Sequence, residues 1–198
     1  MQYISETLYW ISTGLMVPVV LCLVLLFIRS LWLIIGFFGQ YVREKKEEAI
    51  LDDQFQKVDS EHLEMLESAL PQASHLLVKP FLANMLQHKG EGHHLNLQSA
   101  GFELAADKEL GTCKTLTKLG PMLGLMGTLI PMGPALVGLA QGDISSMAYN
   151  MQVAFATTVI GLFCSATGYL TCQIKERWFF RQQAWLECLL DLLNHKSI

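Results

Sequence analysis

At 198 residues, 52% hydrophobic and only 16% charged, the chain falls well short of the roughly one quarter of charged residues usual in a soluble domain. Its net charge of −4 comes without a basic stripe, which excludes nucleic acid as a natural partner. Its apolar residues are gathered into a few long blocks, which excludes a single large soluble core.

The first apolar block runs from Leu8 to Phe38 and holds one charge, Arg29. As a helix it would be about 46 Å long against a hydrocarbon core of about 30 Å, so only part of it crosses. The span is expected from Tyr9 to Ile28, with Tyr9 and Trp10 at one interface and Arg29 reaching the headgroups at the other. The alternative buries Arg29 in the membrane as a counter-ion, at a cost of several kcal/mol without a partner. Leu31 to Phe38 then continue the helix past the headgroups, and Pro18 is a candidate kink. Glu6 and no Lys or Arg precede the block, so the basic region of a cleaved signal is missing. Residues 1–42 are read as the first transmembrane helix with its cytoplasmic end.

Residues 43–117 are read as a cytoplasmic helical region. Arg43 to Leu70 is charged and helix-favouring, with apolar residues at Ile50, Leu51, Phe55, Val58, Leu63 and Leu66, the pattern of an amphipathic helix. The Glu44–Glu48 cluster reads as a solvated helix start. Pro71, Pro80 and the stretch Lys89 to His94 mark turns, and a helix beginning near Leu95 runs into the next span. Residues 118–140 form the second transmembrane helix and hold no charge after Lys118; from Leu119 on this is about 33 Å of helix. Residues 141–147 are a short polar turn outside the membrane. Residues 148–174 form the third transmembrane helix, again without charge. Residues 175–198 are an amphipathic cytoplasmic tail that extends it.

Lys and Arg flank one side of every span: Arg43, Lys45 and Lys46; Lys108, Lys114 and Lys118; Lys175, Arg177 and Arg181. Residues 1–7 and 141–147 have none. The positive-inside rule therefore places the N-terminus outside and the C-terminus in the cytoplasm of an all-α membrane protein with three spans.

Spans two and three share a pattern. Small or special residues fall at Gly124, Gly127, Thr128, Pro131, Ala135 and Gly138, and at Ala154, Thr157, Thr158, Gly161, Ser165 and Gly168. Both series step i, i+3, i+4, i+7, i+11, i+14, which sets each on one helical face. Such faces let membrane helices approach closely, and that alone would explain them. The threonines add hydroxyls at mid-membrane depth. Pro131 cannot donate to the Gly127 carbonyl, nor Pro134 to that of Ile130, so acceptors are freed. A path lined by hydroxyls and carbonyls can hold water and pass protons. Yet from Leu119 to Ala140, and from 148 to 174, there is no Asp, Glu, His, Lys or Arg, so a titrating group would have to come from another chain.

Gly124-Leu-Met-Gly-Thr128, after Gly120-Pro121, and Ala154-Phe-Ala-Thr-Thr-Val-Ile-Gly-Leu162 resemble the MotA/TolQ/ExbB proton-channel family. The resemblance is specific over about residues 118 to 178 and rests on topology elsewhere. It implies that Thr128 and Thr158 are pore threonines and that Gly124, Gly127 and Gly161 are close-packing glycines, while Thr157 stands where many members have Ala. Pro131 and Pro134 replace the residues common after the Gly-Thr motif, and the cytoplasmic region is compact for the family. The resemblance further implies a homopentamer in the bilayer of a bacterial or archaeal cytoplasmic (inner) membrane. It would surround two copies of a single-span partner of the MotB/TolR/ExbD type, which supplies a transmembrane Asp. Proton or Na⁺ passage would then drive a periplasmic or outer-membrane process such as uptake or transport. Two other readings stay open: a non-conducting scaffold subunit, and a permease-like subunit of a metal or cofactor transporter.

Nothing in the sequence suggests an enzyme or a resident cofactor. There is no nucleophile–base pair and no phosphate-cradling loop outside the membrane. His62, His75, His88, His93 and His94 fit no zinc spacing. Cys22, Cys113, Cys164, Cys172 and Cys188 include no CxxC pair and read as reduced packing residues.

Overall fold

The computed structural model describes residues 2–57, 76–87 and 92–195. Their regular structure is all α-helix: α1 (Gln2–Lys57), α2 (Lys79–Gln87), α3 (Gly92–Ala140) and α4 (Ile144–His195). Three of these are long and apolar enough to cross a membrane, over Thr13–Ala49, Leu95–Ala140 and Ile144–Leu193. The protein is therefore an all-α, multi-pass membrane protein. Leu63, Leu66, Pro71, His62, His75 and His88, which carried sequence expectations, lie outside the described residues.

The helices far exceed a bilayer crossing. The 56 residues of α1 rise about 84 Å, so the first apolar block and the charged segment after it, as far as Lys57, are one continuous helix. Prolines do not end these helices: Pro18 lies inside α1, and Pro121, Pro131 and Pro134 inside α3. Pro80, expected to mark a turn, sits in the first turn of α2, where a missing N–H costs nothing.

The chain divides into two compact units. Unit 1 comprises the chain up to Ile34 together with Thr112–Cys172. Its centre is the α3–α4 hairpin, closed by a defined cap. Gly142 takes φ 75°, the left-handed conformation open to glycine. The Gly142 N–H donates to the Leu139 carbonyl (3.1 Å) and the Asp143 N–H to that of Gly138 (2.9 Å), the paired bonds of a Schellman motif. Asp143 then accepts the Ser146 N–H on Oδ1 at 3.0 Å and so caps α4. The reversal thus needs only residues 141–143, and helix already occupies the rest of the 141–147 stretch. α1 packs on this hairpin through Phe27 against Phe163 (ring centroids 5.7 Å apart) and through Ser30, whose hydroxyl lies 3.8 Å from the Cys164 sulfur.

Unit 2 comprises Ile35–Gly111 and Gln173–Ile198. It is built like a soluble helical core. α4 buries Trp178, Phe179, Gln182, Trp185, Leu186, Leu189 and Leu193, a stripe of helical period. Facing residues include Leu51 of α1, Leu82 and Met85 of α2, and Phe102 of α3, each fully buried. Phe102 meets Phe81 and Phe179 edge-on at 5.7 and 6.4 Å, a favoured aromatic geometry. Phe37 stacks on Trp178 at 5.6 Å. The Val78 N–H before α2 is held by the buried Gln182 Oε1 at 3.2 Å.

Candidate functional site

The hairpin of unit 1 is a seam of near-contact between two backbones. On α3 the buried positions include Gly120, Gly124, Gly127, Pro131, Ala135 and Gly138; on α4 they include Ala154, Thr157, Gly161, Cys164, Thr167 and Gly168. A methyl group on Gly120 or on Gly161 would stand 2.6 Å from the other's carbonyl oxygen. One on Gly127 would meet the Thr157 Oγ1 at 2.5 Å, and one on Gly168 would meet the Cys113 oxygen, Leu116 Cβ and Thr117 nitrogen at 2.8 Å. Gly124 faces the Gly161 Cα, its methyl position lying 3.4 Å away. At Gly120, Gly127, Gly161 and Gly168 these distances leave no room for a side chain, which is the physical reason for glycine there. Pro131 lies in the seam and Pro134 is half-buried beside it.

The three threonines divide. Thr157 is buried in the seam against Gly127, whereas Thr128 and Thr158 are half-buried at its edge. Each hydroxyl hydrogen is engaged within its own helix: Thr128 donates to the Leu125 carbonyl at 2.7 Å, and Thr157 and Thr158 both donate to that of Ala154, at 2.9 and 3.1 Å. A hydroxyl has one donor and two acceptor sites, so what remains on Thr128 and Thr158 is acceptor capacity.

The edge they occupy is defined by helix geometry. Thr128 follows Gly127 and Thr158 follows Thr157, each a rotation of about 100° from the seam. On antiparallel right-handed helices viewed from one end, these rotations have opposite sense, and both side chains emerge on the same side of the hairpin. α1 lies on the other side. Its contacts, Thr112 and Phe163, each precede a seam residue, Cys113 and Cys164. The threonine side is thus left uncovered in the single chain: Leu125 is 61% and Leu162 56% exposed, and Met132 and Phe155 are exposed with them.

Two further contacts set the depth of unit 1. The Arg29 Nη2 donates to the Thr112 Oγ1 at 3.2 Å, and the side chain is exposed. That level of α3 is the turn approaching Lys114 and Lys118, which supports the interfacial placement of Arg29 over the buried one. Gly168 packs beside Cys113 to Thr117, and Ser165 donates to the Thr117 carbonyl at 3.1 Å. Ser165 thus sits between Thr117 and Gly120 of α3, and Gly168 one turn on sits beside its lysine-bearing turns.

One expectation is overturned in unit 2. Glu44 and Glu48 are not a solvated helix start: they are 1% and 4% exposed. Gln40, Glu44, Glu48 and Asp52 recur every four residues, a helical stripe continuous with the apolar face, and that spacing was the available signal. Glu48 Oε2 pairs with the Arg181 guanidinium at 3.2 Å, and Asp52 accepts the Trp185 Nε1–H at 3.2 Å. Burial raises the pKa of both Glu44 and Glu48, with Arg181 opposing the shift at Glu48. The five cysteines carry free thiols.

The sequence profile of the MotA/TolQ/ExbB proton channel family matches residues 43–184. The match takes in the whole α3–α4 hairpin and also the region between spans one and two, where the sequence resemblance rested on topology. No curated protein matches the chain.

Proposed function

The chain belongs to the MotA/TolQ/ExbB proton channel family, and on that premise we propose that it is the ring-forming channel subunit of an ion-motive-force-driven motor in a bacterial or archaeal cytoplasmic (inner) membrane. Five copies surround a single-span MotB/TolR/ExbD-type partner, and the driven process lies in the periplasm or outer membrane. Its N-terminus is outside and its C-terminus cytoplasmic, in keeping with the Lys and Arg distribution. Residues 118–140 and 148–174 supply the spans that line the path.

The observation that carries this reading is the uncovered hairpin side marked by Thr128 and Thr158, in spans that hold no Asp, Glu or His of their own. The partner's transmembrane Asp supplies that group. With the threonine hydrogens already given to helix carbonyls, the two hydroxyl oxygens act as acceptors. They stabilise the protonated acid, a hydronium or a Na⁺ ion, and not the bare carboxylate. A carboxyl hydrogen left without an acceptor in an apolar setting costs roughly 1–3 kcal/mol, or about ten- to a hundredfold in proton occupancy. Thr157 and Gly127 set the distance between the helices that present these oxygens, Gly124 and Gly161 continue that contact, and Pro131 and Pro134 set the local path of α3.

The test is proton flux into proteoliposomes holding the ring with its co-purified partner. Thr128→Val or Thr158→Val removes the hydroxyl at nearly constant shape. Each is expected to cut flux by about tenfold or more while the ring still assembles. A non-conducting scaffold tolerates both, so normal flux and normal motor output in both variants overturn the assignment.

A further inference from the structure

Unit 2 holds a second piece of proton chemistry, far along α1 from the membrane crossing. Glu44 lies fifteen residues beyond Arg29, about 22 Å further along the same helix. It is 1% exposed, its Oε1 accepts the neutral Gln40 amide at 3.3 Å, and its Oε2 has no hydrogen-bond partner. A buried carboxylate with a bare oxygen is costly, whereas the protonated acid is not charged. One turn away, Glu48 is also buried with its Oε1 unpartnered, but it has Arg181 at 3.2 Å to keep its charge. The pair thus has one guanidinium for two acids. Beside Glu44 runs a groove of about 420 Å³ lined by Ile35, Gly36, Gly39, Gln40, Arg43 and Glu44. A methyl on Gly36 or Gly39 would meet nothing within 4 Å, so no side chain of this chain closes the groove there.

We propose that the Glu44 carboxyl is a proton-binding site beyond the expected crossing Tyr9–Ile28, and that losing its proton loosens the packing of α1 on α4 in unit 2. The charged groups around it are few. On α1 they are Arg43, Glu47 and Glu48, with Asp52 beyond Glu48; from α4 come Lys175 and, at Glu48, Arg181. Lys175 is itself drawn to Glu109 of α3, 3.8 Å away. Burial, the largest influence, pushes the Glu44 pKa from 4.5 up to about 7, with Gln40 and Lys175 opposing and Glu48 and Glu47 adding to it. The sign follows: an acid whose pKa is raised in the packed state favours packing when protonated. Stability of that packing falls as pH rises from about 4.5 to about 7 and is level above. The chain would thereby register the pH on that side of the membrane. This depends on burial around Glu44 and not on the path between the spans, so it stands or falls separately from the proposed channel.

The test is hydrogen exchange of the full chain in lipid nanodiscs, corrected for intrinsic rates, from about pH 5.5 to 8.5. Protection in residues 40–57 and 175–190 is expected to fall several-fold as pH rises from about 5.5 to about 7 and to level off above, and Glu44→Gln, a fixed neutral side chain, is expected to remove that dependence. Wild-type protection that is flat with pH, or a Glu44→Gln variant with the same dependence, overturns the proposal. Should that variant fail to fold, infrared titration of carbon-13-labelled glutamate in the unaltered protein decides. A protonated carboxyl persisting to a midpoint near 7 supports the site, and complete ionisation by pH 5.5 overturns it.

Discussion

Gly161 in unit 1 and Phe102 in unit 2 are both buried within helix packing, yet they hold their surroundings together in opposite ways. At Gly161 the neighbours are backbone atoms, near enough that even a methyl would lie 2.6 Å from a carbonyl oxygen. At Phe102 the neighbours are two aromatic rings and a leucine- and methionine-rich core. The difference follows from the solvent each unit meets. In lipid, apolar side chains gain nothing by leaving it, so association relies on close backbone approach and hydrogen bonds. In water, large side chains gain roughly 1.5–3 kcal/mol each on burial. Leu125, Leu129, Leu136 and Phe155 can therefore be exposed in unit 1, while Leu82, Leu186 and Leu189 are buried in unit 2. The same contrast governs charge: the apolar stretches of the hairpin have none, and unit 2 encloses two carboxylates.

Substitutions that exchange the two packing styles should break this comparison most sharply. Phe102→Ala is expected to have the largest effect, about 3–5 kcal/mol, from the emptied site between Phe81 and Phe179. Hydrogen exchange should show the loss in unit 2. Gly161→Ala comes next, at about 1–3 kcal/mol, because the contact is with backbone and cannot rotate away. Native mass spectrometry of the ring should show impaired assembly. Asp143→Ala is expected to cost about 0.5–2 kcal/mol through the lost cap of α4, read as a lower melting temperature. Gly133→Ala is the smallest: nothing lies within 4 Å of its methyl, so a gain of up to about 1 kcal/mol in helix propensity is expected. Equal tolerance of Gly161→Ala and Gly133→Ala would remove the distinction.

Much of unit 1 was legible because lipid makes strong demands on sequence. Charge-free blocks, a polar turn and two small-residue series are local patterns, and Gly124, Gly127 and Gly161 stand out in them. The series could not separate Thr157 from Thr158, since steps of three and four residues tolerate an arc wide enough to hold both. Contact with Gly127 separates them, and that is a long-range fact. Arg29 was ambiguous for the same reason: its partner Thr112 is far away in sequence. In unit 2 the error at Glu44 and Glu48 came from weighting charge over period. Acids are nearly always solvated, so a stripe of polar groups every four residues reads as an outer face, whereas here it is buried.

The account rests most heavily on one side of the hairpin, the side on which Thr128 and Thr158 emerge away from α1. A photo-crosslinking side chain placed at Leu125 or Leu162 samples that side, and one at Met126 or Phe163 samples the other. In the assembled complex, positions 125 and 162 are predicted to form adducts with the single-span partner, and positions 126 and 163 only with α1 or another copy of the chain. Partner adducts from 126 and 163, with none from 125 and 162, would contradict it.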